Sequence, residues 1–178
     1  MKRHRAVAAA LVAAYVGLWA GCGLDRIDVT IEEETVVEGA TPLEQLIGDI
    51  GFPGLADFDI TESRTFQNEG YTEDDIDSVF MKSFELAIDD PQGQDFDFLG
   101  SVRFTAKADG LPDVDIAWLD PIPEEASEIE LEIDPNTDLQ PYVVAPEMTI
   151  ETTASGRRPP QDTTIGARLV FEVDIKIF

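Results

Sequence analysis

Beyond its first two dozen residues the chain is organised by a period of two. Ile27, Val29 and Ile31 alternate with polar residues, as do Phe84, Leu86 and Ile88, and then Val102, Phe104, Ala106 and Ala108. Val114, Ile116 and Trp118 form a further set, followed by Ile129, Leu131 and Ile133 and by Met148 with Ile150. The longest stripe comprises Ile165, Ala167, Leu169, Phe171, Val173, Ile175 and Ile177. Side chains along a strand point to opposite faces in turn, so each stripe predicts a strand with one buried and one wet face, as in antiparallel sheets. All of these apolar residues, Trp118 included, are expected in the core.

Turn chemistry divides the runs. Three of them stop at the same pair: Asp90-Pro91, Asp120-Pro121 and Asp134-Pro135. Asp bonds its own backbone in a turn, and Pro lacks the N–H that a ladder needs. Segments containing glycine, Gln92–Gln94, Ala108–Pro112 and Ala154–Pro160, mark further breaks. The last of these places Arg157 and Arg158 at an exposed hairpin tip.

Helix is minor. Thr41–Gly51 has Thr41 as cap, Pro42 in the first turn, Glu44 completing a capping box, and Leu43, Leu46, Ile47 and Ile50 on one face. Thr72 with Asp75 caps one turn before Ile76, and Asn136–Val144 holds another turn limited by Pro141. The pattern predicts an all-β fold, an antiparallel β-sandwich of about seven to nine strands with one or two short helices. Two layers are needed because a single sheet would leave its apolar face in water. A closed β-barrel is the alternative.

The first residues follow other rules. Lys2, Arg3 and Arg5 precede Ala6–Ala20, a run without charge, and small residues flank its end. That is the three-part layout of a secretion signal, and the run is short for a helix that must cross about 20 residues' worth of hydrocarbon. Leu18-Trp19-Ala20-Gly21-Cys22 resembles the lipobox of bacterial lipoproteins. Ala20 and Gly21 match the small residues before the cut and Cys22 matches the acceptor, while Trp19 stands where leucine is usual and Leu18 lies one residue back. The resemblance implies cleavage before Cys22, diacylation of its thiol and acylation of the new amino terminus. It also implies the outer membrane rather than the inner membrane of a Gram-negative envelope, because Gly23 and not Asp follows the cysteine. Cys22 is the sole cysteine of the chain. An exported protein with one cysteine has no internal disulfide, and two or three acyl chains hold a protein durably where one does not. The expected organisation is a signal peptide over residues 1–21, a lipidated cysteine and short tether over 22–26, and one acidic domain over 27–178.

Charge narrows the partners. The leader holds three of the 12 basic residues and none of the 37 acidic ones, so residues 22–178 carry a formal charge of −28. Such a surface repels nucleic acid. The membrane, through the anchor, and an envelope protein are the expected partners.

Catalysis has little to work with. The only histidine, His4, lies in the leader, so the mature chain has no imidazole and, once lipidated, no thiol. Ser-His-Asp and Cys-His mechanisms and histidine-based metal sites are thereby removed. No catalytic residue and no cofactor is assigned. The sharpest candidate is calcium, which takes six to eight oxygens, at Asp89, Asp90, Asp95 and Asp97 around a glycine-containing turn. Turn-forming and solubilising aspartate is the plainer reading of those four. Glu128, Glu130 and Glu132 form a like-charged face that discourages strand pairing with a second molecule. The expected function is a non-catalytic binding or structural module of the cell envelope. The alternatives are a calcium-dependent adhesion or scaffold domain and, last, a hydrolase built on paired carboxylates.

Overall fold

The protein is described by a computed structural model over residues 26–40, Phe52, Asn68 and 70–176. The leader, Cys22 and the expected helix over Thr41–Gly51 lie outside the described residues.

Among the described residues eight strands form two antiparallel sheets of four. Strands β1 (Arg26–Val37), β8 (Thr163–Ile175), β2 (Ile76–Asp90) and β5 (Glu128–Glu130) make sheet A in that order; β6 (Glu132–Ile133), β4 (Val114–Leu119), β3 (Leu99–Ala108) and β7 (Met148–Gly156) make sheet B. Neither sheet closes on itself, so the fold is a sandwich and not a barrel. Apolar side chains from both inner faces fill the space between the sheets. Phe84 of β2 meets Phe104 of β3 with ring centroids 4.6 Å apart, and Phe52 approaches Phe104 edge-on at 6.0 Å. The β8 stripe is buried as expected: Ile165, Ala167, Leu169, Phe171, Val173 and Ile175 are all at most 7% exposed.

The stripe Ile129–Ile133 serves both layers. Ile129 pairs with Leu86 in sheet A, the Leu131 amide donates to the Phe84 carbonyl, and Ile133 pairs with Ala117 in sheet B. One extended segment thus stitches the sheets along one side and leaves β1 and β7 as the edges of the other. Glu128, Glu130 and Glu132 are exposed on β5 and β6, both edge strands, where like charge opposes docking of a foreign strand.

The period of two breaks at bulges. In β2 the buried positions are Ile76, Val79, Met81, Phe84 and Leu86, with steps of three at the register shifts between Ile76 and Ser78 and between Met81 and Ser83. In β4 a shift opposite Phe104/Thr105 makes Ile116 the extra residue, and both Ile116 and Ala117 are buried. The phase flips there. Trp118 consequently faces outward beside Arg103 of β3, only half-buried, with its indole N–H donating to Glu132 at 2.9 Å. The expectation that Trp118 belongs to the core is corrected by this bulge.

The turns follow the sequence closely. Each Asp-Pro pair lies where a strand finishes, after β4 and β6 or at the last residue of β2. Asp134 accepts from the Asn136 amide and the Thr137 hydroxyl. Thr72 and Asp75 cap a 3-10 turn (Glu73–Asp75) through both the amide and the hydroxyl of Thr72. Pro141 sits in the first turn of a short helix, α1 (Gln140–Val143), where its missing N–H costs nothing, so it opens the turn instead of limiting it. The Arg157-Arg158 segment is not a hairpin tip either. It joins β7 in sheet B to β8 in sheet A and crosses between the layers.

Asp75 and Asp134 have carboxyls held below the ordinary value by these bonds, chiefly the amides of Thr72 and Asn136. A depressed folded-state pKa gives stability that is present above the unfolded value and lost as pH falls through the folded one. Acidification from pH 5 to pH 3 is therefore expected to cost the wild type more stability than an Asp134→Asn variant. Urea melts of both proteins at the two pH values check this.

Candidate functional site

The outer face of sheet A carries an acidic groove. Register sets its walls. Glu32 of β1, Arg168 of β8, Glu85 of β2 and Glu130 of β5 lie in one row across the sheet. Two residues along, the row is Glu34, Gly166, Ala87 and Glu128. The first row has long side chains throughout. The second has almost none at its two middle positions, and the surface sinks there into a depression of about 510 Å³. Glu33 and Asp89 also border it. A Cβ built on Gly166 would lie 2.5 Å from Asp89 Oδ2, so the Asp89 carboxylate overlies the glycine.

Electrostatically the groove is one-sided. Arg168 is its single cation, reaching Glu32 at 3.7 Å and Glu85 at 3.6 Å. Glu33, Glu34, Asp89 and Glu128 line it as well, so six carboxylates face one guanidinium among the lining residues. Exposed pairs of this kind contribute little to stability. Their effect is on what approaches: a basic segment is drawn in and an anion is repelled.

The four aspartates expected to gather calcium are not gathered. Asp89 belongs to the groove on sheet A, whereas Asp95 and Asp97 line a separate depression with Arg157. Asp95 accepts from the Asp97 amide at 3.2 Å, and Asp97 accepts from the Glu125 amide at 2.9 Å. These are the turn-forming duties of aspartate. Phe96 and Phe98, which alternate with them, are buried and hold the loop down. Among the described residues no group of three or more His, Cys, Asp or Glu is placed to hold a metal ion. This placement favours the plainer reading of Asp89, Asp90, Asp95 and Asp97 as turn-forming and solubilising residues over the calcium alternative.

The outer face of sheet B has a different character. Lys107 reaches Glu151 at 2.6 Å and Asp113 at 3.0 Å, and these partners raise its pKa. Arg103 pairs with Asp115, and Ser101 bonds Ser155 at 2.7 Å. Here two cations serve three carboxylates, against one for six in the groove.

Sequence reasoning missed the groove because its members come from four strands that are distant in the chain. The signal that was there is Glu32-Glu33-Glu34, three carboxylates in a row within a strand. The lipobox residues Leu18, Trp19, Ala20, Gly21 and Cys22 fall outside the described residues. Among the described residues no helix is long and apolar enough to cross a membrane. No protein-family model matches the chain, and a search of curated proteins finds no match.

Proposed function

We propose that the chain is an exported, lipid-anchored protein of the cell envelope whose sandwich is a non-catalytic binding or structural module. The observation that carries this reading is the sequence Lys2–Cys22: a basic start, an uncharged run, and the sole cysteine directly after Ala20-Gly21. Gly23 after the cysteine favours the outer membrane. The absence of histidine beyond His4 supports a role other than catalysis. The acidic groove is the face such a module offers to a basic segment of an envelope partner, and charge complementarity supports that assignment.

The test is direct. Globomycin, which blocks the lipoprotein signal peptidase, is expected to cause the uncut precursor to accumulate, and Cys22→Ser is expected to abolish incorporation of labelled fatty acid. A native protein whose mass shows a bare thiol at Cys22 overturns the anchor. A photo-crosslinking residue at Ala87, in the groove, is expected to give adducts in native membranes that the same residue at Thr153 does not.

A further inference from the structure

Resting on the lipid-anchor reading, we propose that the sandwich stands end-on, with the α1 loop and the β3–β4 turn against the bilayer surface and the acidic groove held away from it. The first argument is reach. Only Gly23, Leu24 and Asp25 separate Cys22 from the start of β1 at Arg26. That stretch of chain spans at most about 14 Å even when fully extended. The anchored end of the sandwich is therefore the end at which β1 begins.

Register identifies what else lies at that end. Arg26 pairs with Asp174 and Ile76 with Ile175, so β8 finishes and β2 starts there. The Leu139 amide donates to the Val79 carbonyl near the start of β2, which brings α1 to the same end. Tyr142 at 2.6 Å from the Pro112 carbonyl ties α1 to the turn between β3 and β4.

Chemistry supplies the second argument. Leu139–Pro146 is the longest run without a charged residue anywhere after Cys22, in a chain that is otherwise densely acidic. Val143 and Val144 are only partly buried, and Pro112 and Pro146 are exposed. The uncharged α1 loop meets an anionic lipid surface with less repulsion than the acidic stretches around it would suffer. This end is otherwise acidic, with Glu73, Asp74, Asp109 and Asp113 exposed on it, so the α1 loop is the part of it suited to lie against lipid.

The test uses single tryptophans in the mature chain, residues 22–178, with Trp118 replaced by phenylalanine. Pro112→Trp and Pro146→Trp report on the proposed contact, and Ser127→Trp reports on the opposite end; all three positions are exposed, so the substitutions leave the core alone. Each protein is coupled through its Cys22 thiol to a maleimide lipid in phosphatidylethanolamine–phosphatidylglycerol vesicles containing headgroup spin-labelled lipid. Quenching is expected to be several-fold stronger at positions 112 and 146 than at 127. Equal quenching at all three, or stronger quenching at 127, overturns the orientation. Natural acylation is read separately from the mass of the extracted native protein. An unacylated native Cys22 defeats the anchor reading, while the quenching still decides which end faces lipid.

Discussion

Phe104→Ala is expected to destabilise the protein by about 3–5 kcal/mol, the range for truncating a buried aromatic in a core that cannot fully collapse around the loss. Phe104 has no exposed surface, and it is the ring on which Phe84 of the opposite sheet and Phe52 both pack. Its removal vacates the middle of the sandwich and strips an aromatic partner from both neighbours. Domains of ordinary stability have roughly 5–15 kcal/mol in total, so the loss is a large fraction of the whole. The melting temperature is expected to fall by roughly 6–20 °C for a chain of this size. Trp118→Ala supplies the contrast. Although tryptophan is the larger residue, its position on the outer face predicts a smaller loss. Thermal melts of the two variants side by side check both statements, and a greater cost at Trp118 would reverse the assignment of inner and outer faces on β4.

Gly156→Ala is expected to be the other severe substitution. Gly156 has a φ of 142°, a conformation that residues with a Cβ rarely adopt. Holding alanine there costs about 1–3 kcal/mol in backbone strain alone. A methyl group would also press against the Phe98 carbonyl oxygen and lie 3.0 Å from Leu99 Cα and the Gly100 amide nitrogen. Those are main-chain atoms with no freedom to swing aside, and overpacking of this kind adds about 1–3 kcal/mol. The same carbonyl accepts the Arg157 amide at 2.8 Å, the bond that starts the crossover from sheet B to sheet A. Relief of the contact therefore comes at the expense of the connection between layers. Urea denaturation is expected to show a markedly lower midpoint with an unchanged slope, because the native and unfolded surfaces stay the same. A midpoint within error of the wild type would mean that the strand can leave the sheet by another route.

Alternation made the layers legible and bulges obscured the details. The β8 stripe is unbroken from Ile165 to Ile175, and its burial could be read from the sequence residue by residue. In β2 only Phe84, Leu86 and Ile88 keep strict alternation, so the strand reads as starting there although it begins at Ile76. The earlier half carries two bulges, and each replaces a step of two by a step of three. Trp118 was misplaced for the same reason: Val114, Ile116 and Trp118 alternate perfectly along the chain, and the irregularity that turns Trp118 outward lies in its pairing with β3. Asp-Pro pairs located strand ends well because their chemistry is local. The groove was invisible because it depends on which strands are neighbours. Glu32, Glu85 and Glu128 come together only through the order β1-β8-β2-β5, which no local pattern encodes.

The pairing of β1 with β8 also sets an order of events. Twelve consecutive registers join the two strands, and Arg26 and Asp174, bonded at 2.6 Å, are 148 residues apart in the chain. In described sheet A, β1 has no other neighbour, since β8 lies between it and β2. A chain made from its amino terminus must hold that first strand without its β8 partner until Thr163 and the residues after it have emerged. Closing so long a loop is slow compared with making local turns. Sheet A is thus finished only after β8 has been delivered, which keeps β1 open until then.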